Sequence, residues 1–294
     1  MSQVSEVIDK VTRQLLSGTV EERNKLAASV NTSATTVTFS FDLEGIRKGT
    51  VLEINGEQMY VWSVVTASKT ATVERGFNGT TPQAHAANAI CTVNPRFPRN
   101  QILEAINAEL ADLSSPMNGL FQIKTVELRY GGSDRMIDMT GAGYVQDVYS
   151  VHYRDTSDNY PRVTGWRLLR DMPVTDFPSG MALDIGNMVS RATNLVVKYK
   201  TEFDPISNEQ QDLFLSSGLP ETCEDLIILG AQIRLMAPRE IKRNFTESQG
   251  DTRRAAEVPP GSIGGSITNL LRLKRDRVAA EAQRLNRLYP VLMV

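Results

Sequence analysis

The side chains best suited to moving protons in this chain are two histidines, His85 and His152. His85 lies in the turn-like run AHAAN and His152 in the strand-like run YVQDVYSVHY. A triad or a metal site needs convergent partners, and neither an H-x-x-x-H spacing nor a Ser/His/Asp signature surrounds them. Both read as structural. Cys91 and Cys223 are far apart, each sits among apolar residues, and no C-x-x-C is present. Buried, reduced thiols fit them better than zinc or redox chemistry. The glycine clusters at residues 131–133 and 141–143 lack the lysine of a phosphate loop and read as turns. The pair Glu21-Glu22 sits in a polar segment with no apolar pocket, so two-carboxylate hydrolysis has no support. What remains is charge-assisted pairing. Glu57 opens one strand-like run and Arg75 closes another, and a guanidinium meeting a carboxylate across neighbouring strands would fix their register. Losing Arg75 from such a pair would cost about 1–3 kcal/mol. No catalytic residue, cofactor or metal is expected.

Charge is distributed unevenly. Between Gly264 and Val294 six cations, Arg272, Lys274, Arg275, Arg277, Arg284 and Arg287, stand against Asp276 and Glu281, a net of +4. The chain totals −2, so the remainder carries −6. Such asymmetry suggests an end that meets a different partner from the body, although a solvated helix face produces the same pattern. Aromatic residues are 6% of the chain and are nearly absent from the basic segment, which argues against direct reading of nucleic acid. No run approaches the ~18 apolar residues of a membrane span. MSQVSEVIDKVTRQLL lacks the features of a signal peptide, so export is not expected.

The elements that must position these residues follow from periodicity. Val4, Val7, Ile8, Val11 and Leu15 share one helical face, which predicts a helix over residues 2–17 with Gly18 as its stop. Val37, Phe39 and Phe41 alternate with polar residues as in a half-buried strand. Asn55-Gly56 between two apolar runs predicts a tight hairpin. Five short strands between residues 36 and 93 predict a small barrel or sandwich. Ile102, Leu103, Ile106, Leu110 and Leu113 form a helical stripe, with Asn100 as the N-cap. Residues 120–203 predict a β-sandwich with Val145, Tyr149, Val151 and Tyr153 on one face and turns at residues 131–134, 155–159 and 178–180. After Pro220 a helix places Cys223, Leu226 and Ile227 on a core face. PPGSIGGS then reads as a hinge.

The fold class expected is α+β, two small antiparallel β units combined with N-terminal, central and C-terminal helices. Its segments run 1–35 (helix and lead-in), 36–95 (β module), 96–119 (connecting helix) and 120–204 (β-sandwich). They continue 205–245 (helical), 246–265 (flexible hinge) and 266–294 (last helix and apolar tail).

The block EINGEQMYVWSVVTASKTATVERGFNGTTPQAHAANAICTVNPRFPRNQILEAIN resembles a module of tailed-bacteriophage virion proteins. Glu57, Val73, Arg75, Gly76, Gly79, Thr80 and His85 carry the resemblance, and Ala87-Asn88 departs from it where glycine is commoner. LIILGAQIRL, Leu226 to Leu235, and AEAQRLNRLYP, Ala280 to Pro290, are similar to helices of head-to-tail adaptor, or neck, proteins. Together these segments cover about half the chain. The resemblance implies a non-enzymatic structural protein of the virion neck, made in the host cytoplasm. It implies a homo-oligomeric ring of twelve copies under the portal, joined to a downstream tail protein. DNA would pass through without sequence-specific binding. It also implies that the C-terminal segment grips the portal. The residues for that are Arg284, Arg287, Leu288, Tyr289, Val291, Leu292, Met293 and Val294. Pro290 ends the helix before them, and four terminal apolar residues would invite association if left in water. The alternative is a tail-tip or baseplate protein whose second β unit binds host carbohydrate through Trp166, Tyr153 and Tyr160.

Overall fold

The computed structural model describes residues 2–130, 135–154, 157, 159–186, 194–248 and 262–290. They form an α+β fold of two compact units. Residues 2–106 and 230–263 make one unit, and residues 107–229 and 264–294 the other. The units are therefore discontinuous in sequence.

In the first unit, helix α1 (Val4–Leu16) buries Val4, Val7, Ile8 and Val11 completely. It ends where Ser17 turns left-handed at φ 46°, followed by Gly18 at φ 85°. Six strands follow: β1 (Arg23–Lys25), β2 (Thr36–Thr38), β3 (Val51–Ile54), β4 (Glu57–Val65), β5 (Thr70–Glu74) and β6 (Ile90–Val93). They make one antiparallel sheet in the order β1-β6-β3-β4-β5-β2. Asn55 and Gly56 join β3 to β4 with φ of 49° and 83°, the doubly positive geometry of a type I′ hairpin. Leu26 and Phe39 bridge the two edge strands, with bonds from Ala27 N–H to Thr38 O and from Ser40 N–H to Lys25 O, each 2.8 Å. The sheet thus closes on itself, and closure removes its edges. Leu26, Phe39, Leu52, Ile54, Met59, Val61 and Cys91 fill its core.

The five strands expected between residues 36 and 93 are β2 to β6, β1 joins them from the preceding segment, and one strand expectation is corrected. The sixth strand, β1, is not legible because its single buried residue is Asn24. The Asn24 amide donates to Asp42 O and accepts from Lys25 N–H, so a satisfied polar group occupies the inward position. The run with alternating Val37, Phe39 and Phe41 is strand only to Thr38, and Phe41, beyond the bend at Ser40, is exposed.

Helix α2 (Arg99–Leu113) buries Ile102, Ile106, Leu110 and Leu113. Asn100 is not its N-cap but lies in the first turn, where its Oδ1 accepts from Gln58 Nε2 at 2.6 Å. The buried Glu53 carboxylate instead accepts the Arg99 N–H at 2.7 Å, an anion at a helix N-terminus.

The second unit is a sandwich of two three-stranded antiparallel sheets. One is ordered β7 (Gln122–Arg129), β12 (Asn194–Thr201), β9 (Asp147–Tyr153). The other is ordered β10 (Trp166–Leu169), β11 (Ala182–Ile185), β8 (Met136–Asp138). Leu128, Ile137, Met139, Val151, Leu183 and Leu195 share the core between them. The expected face Val145–Tyr149–Val151–Tyr153 is broken. Lys198 pairs with Ser150 and Tyr199 with Val148, so Tyr149 is the extra residue of a bulge and Val148 takes its place in the core. The turn over residues 178–180 is present, with Gly180 at φ 68°. Residues 131–134 and most of 155–159 lie outside the described residues.

Helix α3 (Leu213–Ser217), capped by Asp212, precedes α4 (Glu224–Ser248). The last helix, α5 (Ser262–Leu288), starts earlier than the pattern predicts. Residues 246–248 continue α4, and residues 262–265, read as hinge, are helical. Of the hinge, residues 249–261 lie outside the described residues. Among the described residues no helix is long and apolar enough to cross a membrane.

Candidate functional site

The densest polar chemistry in the first unit surrounds Glu57, which is fully buried at the start of β4. Arg75, just after β5, meets it side-on. Nε donates to Oε1 at 2.6 Å and Nη2 to Oε2 at 2.8 Å. The remaining guanidinium protons go to Asn31 O (2.6 Å), Ala34 O (3.1 Å) and Gln83 O (2.5 Å). All five donors of the guanidinium are therefore used. Glu57 also accepts from the N–H groups of Gly76 (3.3 Å) and Gln83 (2.8 Å). His85 Nε2 lies 2.8 Å from Oε2 and must carry the proton that faces the carboxylate. The His85 backbone is paired both ways with Val30, and its Nδ1 has no partner. The Glu57–Arg75 pair thus ties together β4, the end of β5, the Asn31–Ala34 loop and the Gln83–His85 segment. Gly76 is required at the corner. Its φ is 65°, and a Cβ there would meet Thr80 O at 2.7 Å.

Burial pushes the Glu57 carboxyl up. Against it act the hydrogen bonds from Arg75, Gln83 and His85 and the Arg75 charge, and the net shift is downward. A depressed folded pKa stabilises the fold above the unfolded value of roughly 4.3. That contribution is lost as pH falls from there through the folded value. Glu57→Gln is expected to lower stability at pH 7, and the difference from the natural chain is expected to shrink at acid pH. Urea midpoints at neutral and acid pH check this, and a pH-independent difference would contradict it.

A second ionic cluster fastens α5 within the second unit. Glu281 is buried between Arg277 (Nη1, 2.8 Å) and Arg284 (Nε, 2.6 Å) and accepts from Thr222 at 3.3 Å. Burial raises its pKa, and the bonds from Arg277 and Arg284 lower it to a net value below the ordinary range. Arg277 also pairs with Asp225 at 2.9 Å. Lys274 reaches Glu109 (2.7 Å) and Asp112 (2.8 Å). Burial, with smaller effects from Glu53 and Glu281 respectively, pushes the Cys91 thiol up to about 12 and the Cys223 thiol to about 11. Both are free, buried and inert as nucleophiles.

The residues expected to anchor a partner separate into groups. Arg284 donates to Glu281 and Thr222 of its own unit, while its side chain remains 41% exposed. Tyr289 packs edge-on against Tyr149 (5.4 Å) and Phe121 (6.1 Å) of its own unit. Lys200 Nζ lies over the Phe121 ring, 4.4 Å from its centroid. Arg287 and Leu288 are exposed at the end of α5. Val291, Leu292, Met293 and Val294 lie outside the described residues. Of the carbohydrate candidates, Trp166 and Tyr153 pack against the sandwich core, while Tyr160 is half exposed. His152 donates from Nδ1–H to Tyr160 O at 3.1 Å.

Sequence reasoning read His85 as structural without naming Glu57 as its partner, and it did not single out Glu281. The Glu281 signal was present in the spacing, since Arg277 and Arg284 lie at i−4 and i+3 on one helix. Among the described residues no group of three or more His, Cys, Asp or Glu side chains could hold a metal ion. No family model matches the chain, and no curated protein matches it.

Proposed function

We propose that this chain is a structural virion protein, a head-to-tail adaptor whose copies form a ring beneath the portal of a tailed phage. The observation that carries this reading is the complete use of Arg75. The segment that resembles the virion module holds its most reactive side chains in fixed, shielded bonds, as a scaffold does and a turnover site does not. The lumen of such a ring conducts DNA, so the chain is expected not to bind duplex DNA tightly at physiological salt.

Arg287 and Leu288, with Val291, Leu292, Met293 and Val294, form the portal anchor. Arg284 and Tyr289 act behind them by holding α5 to its own unit. Deleting residues 291–294 spares the Tyr289 packing. The truncated chain is expected to fold normally by circular dichroism but to co-sediment with rings of the cognate portal at least tenfold more weakly, an effect of one or two buried aliphatic side chains. Unchanged binding by the truncated chain removes the anchor. Failure of the full chain to bind portal removes the adaptor.

A further inference from the structure

An aromatic edge on the outside of the closed sheet is built more rigidly than solvent exposure warrants. In β4, Val61 pairs with Val73 and Ser63 with Thr72, which leaves Trp62 as the extra residue of a bulge. A bulge re-aims its side chain, and here the indole is 50% exposed. Its Nε1–H is held by Glu74 Oε2 at 3.1 Å. Tyr60 packs edge-on against it at 4.8 Å and contacts Phe77 on its other side at 5.3 Å. An exposed, pre-ordered tryptophan beside a tyrosine ring and one carboxylate, in a row that Phe77 extends, is the composition of an interface hot spot. Its charge and ring faces favour a partner carrying arginine beside aliphatic groups.

This chain presents such a surface itself. On α5, Lys274, Arg277 and Arg284 are neutralised by carboxylates of their own unit. Arg272 and Arg275 are exposed and, among the described residues, have no ion-pair partner. Leu271, also exposed, stands one turn from Arg275 on the same side of the helix.

We propose that the Phe77–Tyr60–Trp62 edge is a docking surface for a second copy of this chain, and that the Leu271–Arg272–Arg275 ridge of that copy is what docks. Arginine would stack on the indole and reach Glu74, and Leu271 would cover the ring edges. Because the two surfaces differ, the contact is heterologous and can repeat around a ring. The proposal deepens the ring reading by naming its repeated contact, yet its test needs no portal.

Sedimentation velocity of the full chain over a concentration series decides it. Trp62→Ala and the double variant Arg272→Glu/Arg275→Glu are each expected to weaken self-association about tenfold or more. Trp62→Phe takes the place of Trp62→Ala if the alanine variant alters the melting curve. Each variant keeps one sound surface, so an equimolar mixture of the two is expected to recover a one-to-one complex and nothing larger. A natural chain that stays monomeric at its highest soluble concentration overturns the proposal. So does a variant that associates like the natural chain, or a mixture no more associated than its parts. If self-association behaves as expected and portal binding is absent, the adaptor reading fails and this contact stands.

Discussion

Replacing Arg75 with alanine is expected to destabilise the closed-sheet unit by about 3–5 kcal/mol, the range for breaking a buried ion pair from one side. The structure moves this figure above the 1–3 kcal/mol that a partly exposed hydrogen-bonded pair would give. The Arg75 side chain is 6% exposed and the Glu57 side chain 0%. Removing the guanidinium would strand an ionised carboxylate away from water, with only His85 and two backbone N–H groups to hold it. It would also orphan the carbonyls of Asn31, Ala34 and Gln83. The chain has two tryptophans, Trp62 in this unit and Trp166 in the other, so fluorescence in a Trp166→Phe background reports this unit alone. Urea unfolding of the natural chain, Arg75→Ala, Glu57→Gln and the double variant completes a cycle. Strong coupling is expected, and additive effects would show that the two side chains do not act as a pair.

Phe39→Ala is expected to cost about 3–5 kcal/mol as well, for a different reason. Phe39 is among the largest fully enclosed side chains and stands opposite Leu26 at the seam that closes the sheet. Its loss would open a cavity among Leu26, Val37 and Val73 while loosening the contact that joins the two edge strands. Amide exchange should therefore rise most at Ala27 and Ser40, whose N–H groups bond across the seam. Phe41→Ala, two residues on at an exposed position, should stay within about 0.5 kcal/mol. Equal losses for the two substitutions, or exchange that rises uniformly, would contradict a seam held by Phe39.

Much of the fold was legible where one periodic signal covered a whole element. The apolar stripe of α1, the Asn55-Gly56 turn and the stripe of α2 each rest on spacing within a dozen or so residues, and each is found where the pattern places it. Legibility failed where a polar side chain took an inward position or where the period slipped. Asn24 is buried because backbone groups of the Phe41–Asp42 turn satisfy it. Tyr149 leaves its predicted face because one extra residue in β9 reverses the alternation. Gly264-Gly265 reads as a hinge from composition, yet α5 begins at Ser262 and runs through both glycines. Intrinsic propensity is a weak prior that tertiary context overrides.

By itself the amino-acid sequence determined the α+β class, the hairpin register, the inert setting of both cysteines and the pairing of Glu57 with Arg75. These depend on residues near in sequence or on types with one favourable partner. The tertiary structure alone decided that His85 completes the Glu57 cluster and that Arg284 and Tyr289 are held within their own unit. It also decided that Trp62 is turned outward. Those outcomes depend on which side chains are brought within 3–6 Å from distant parts of the chain, and on how much water is left around them. Spacing along the sequence carries neither quantity.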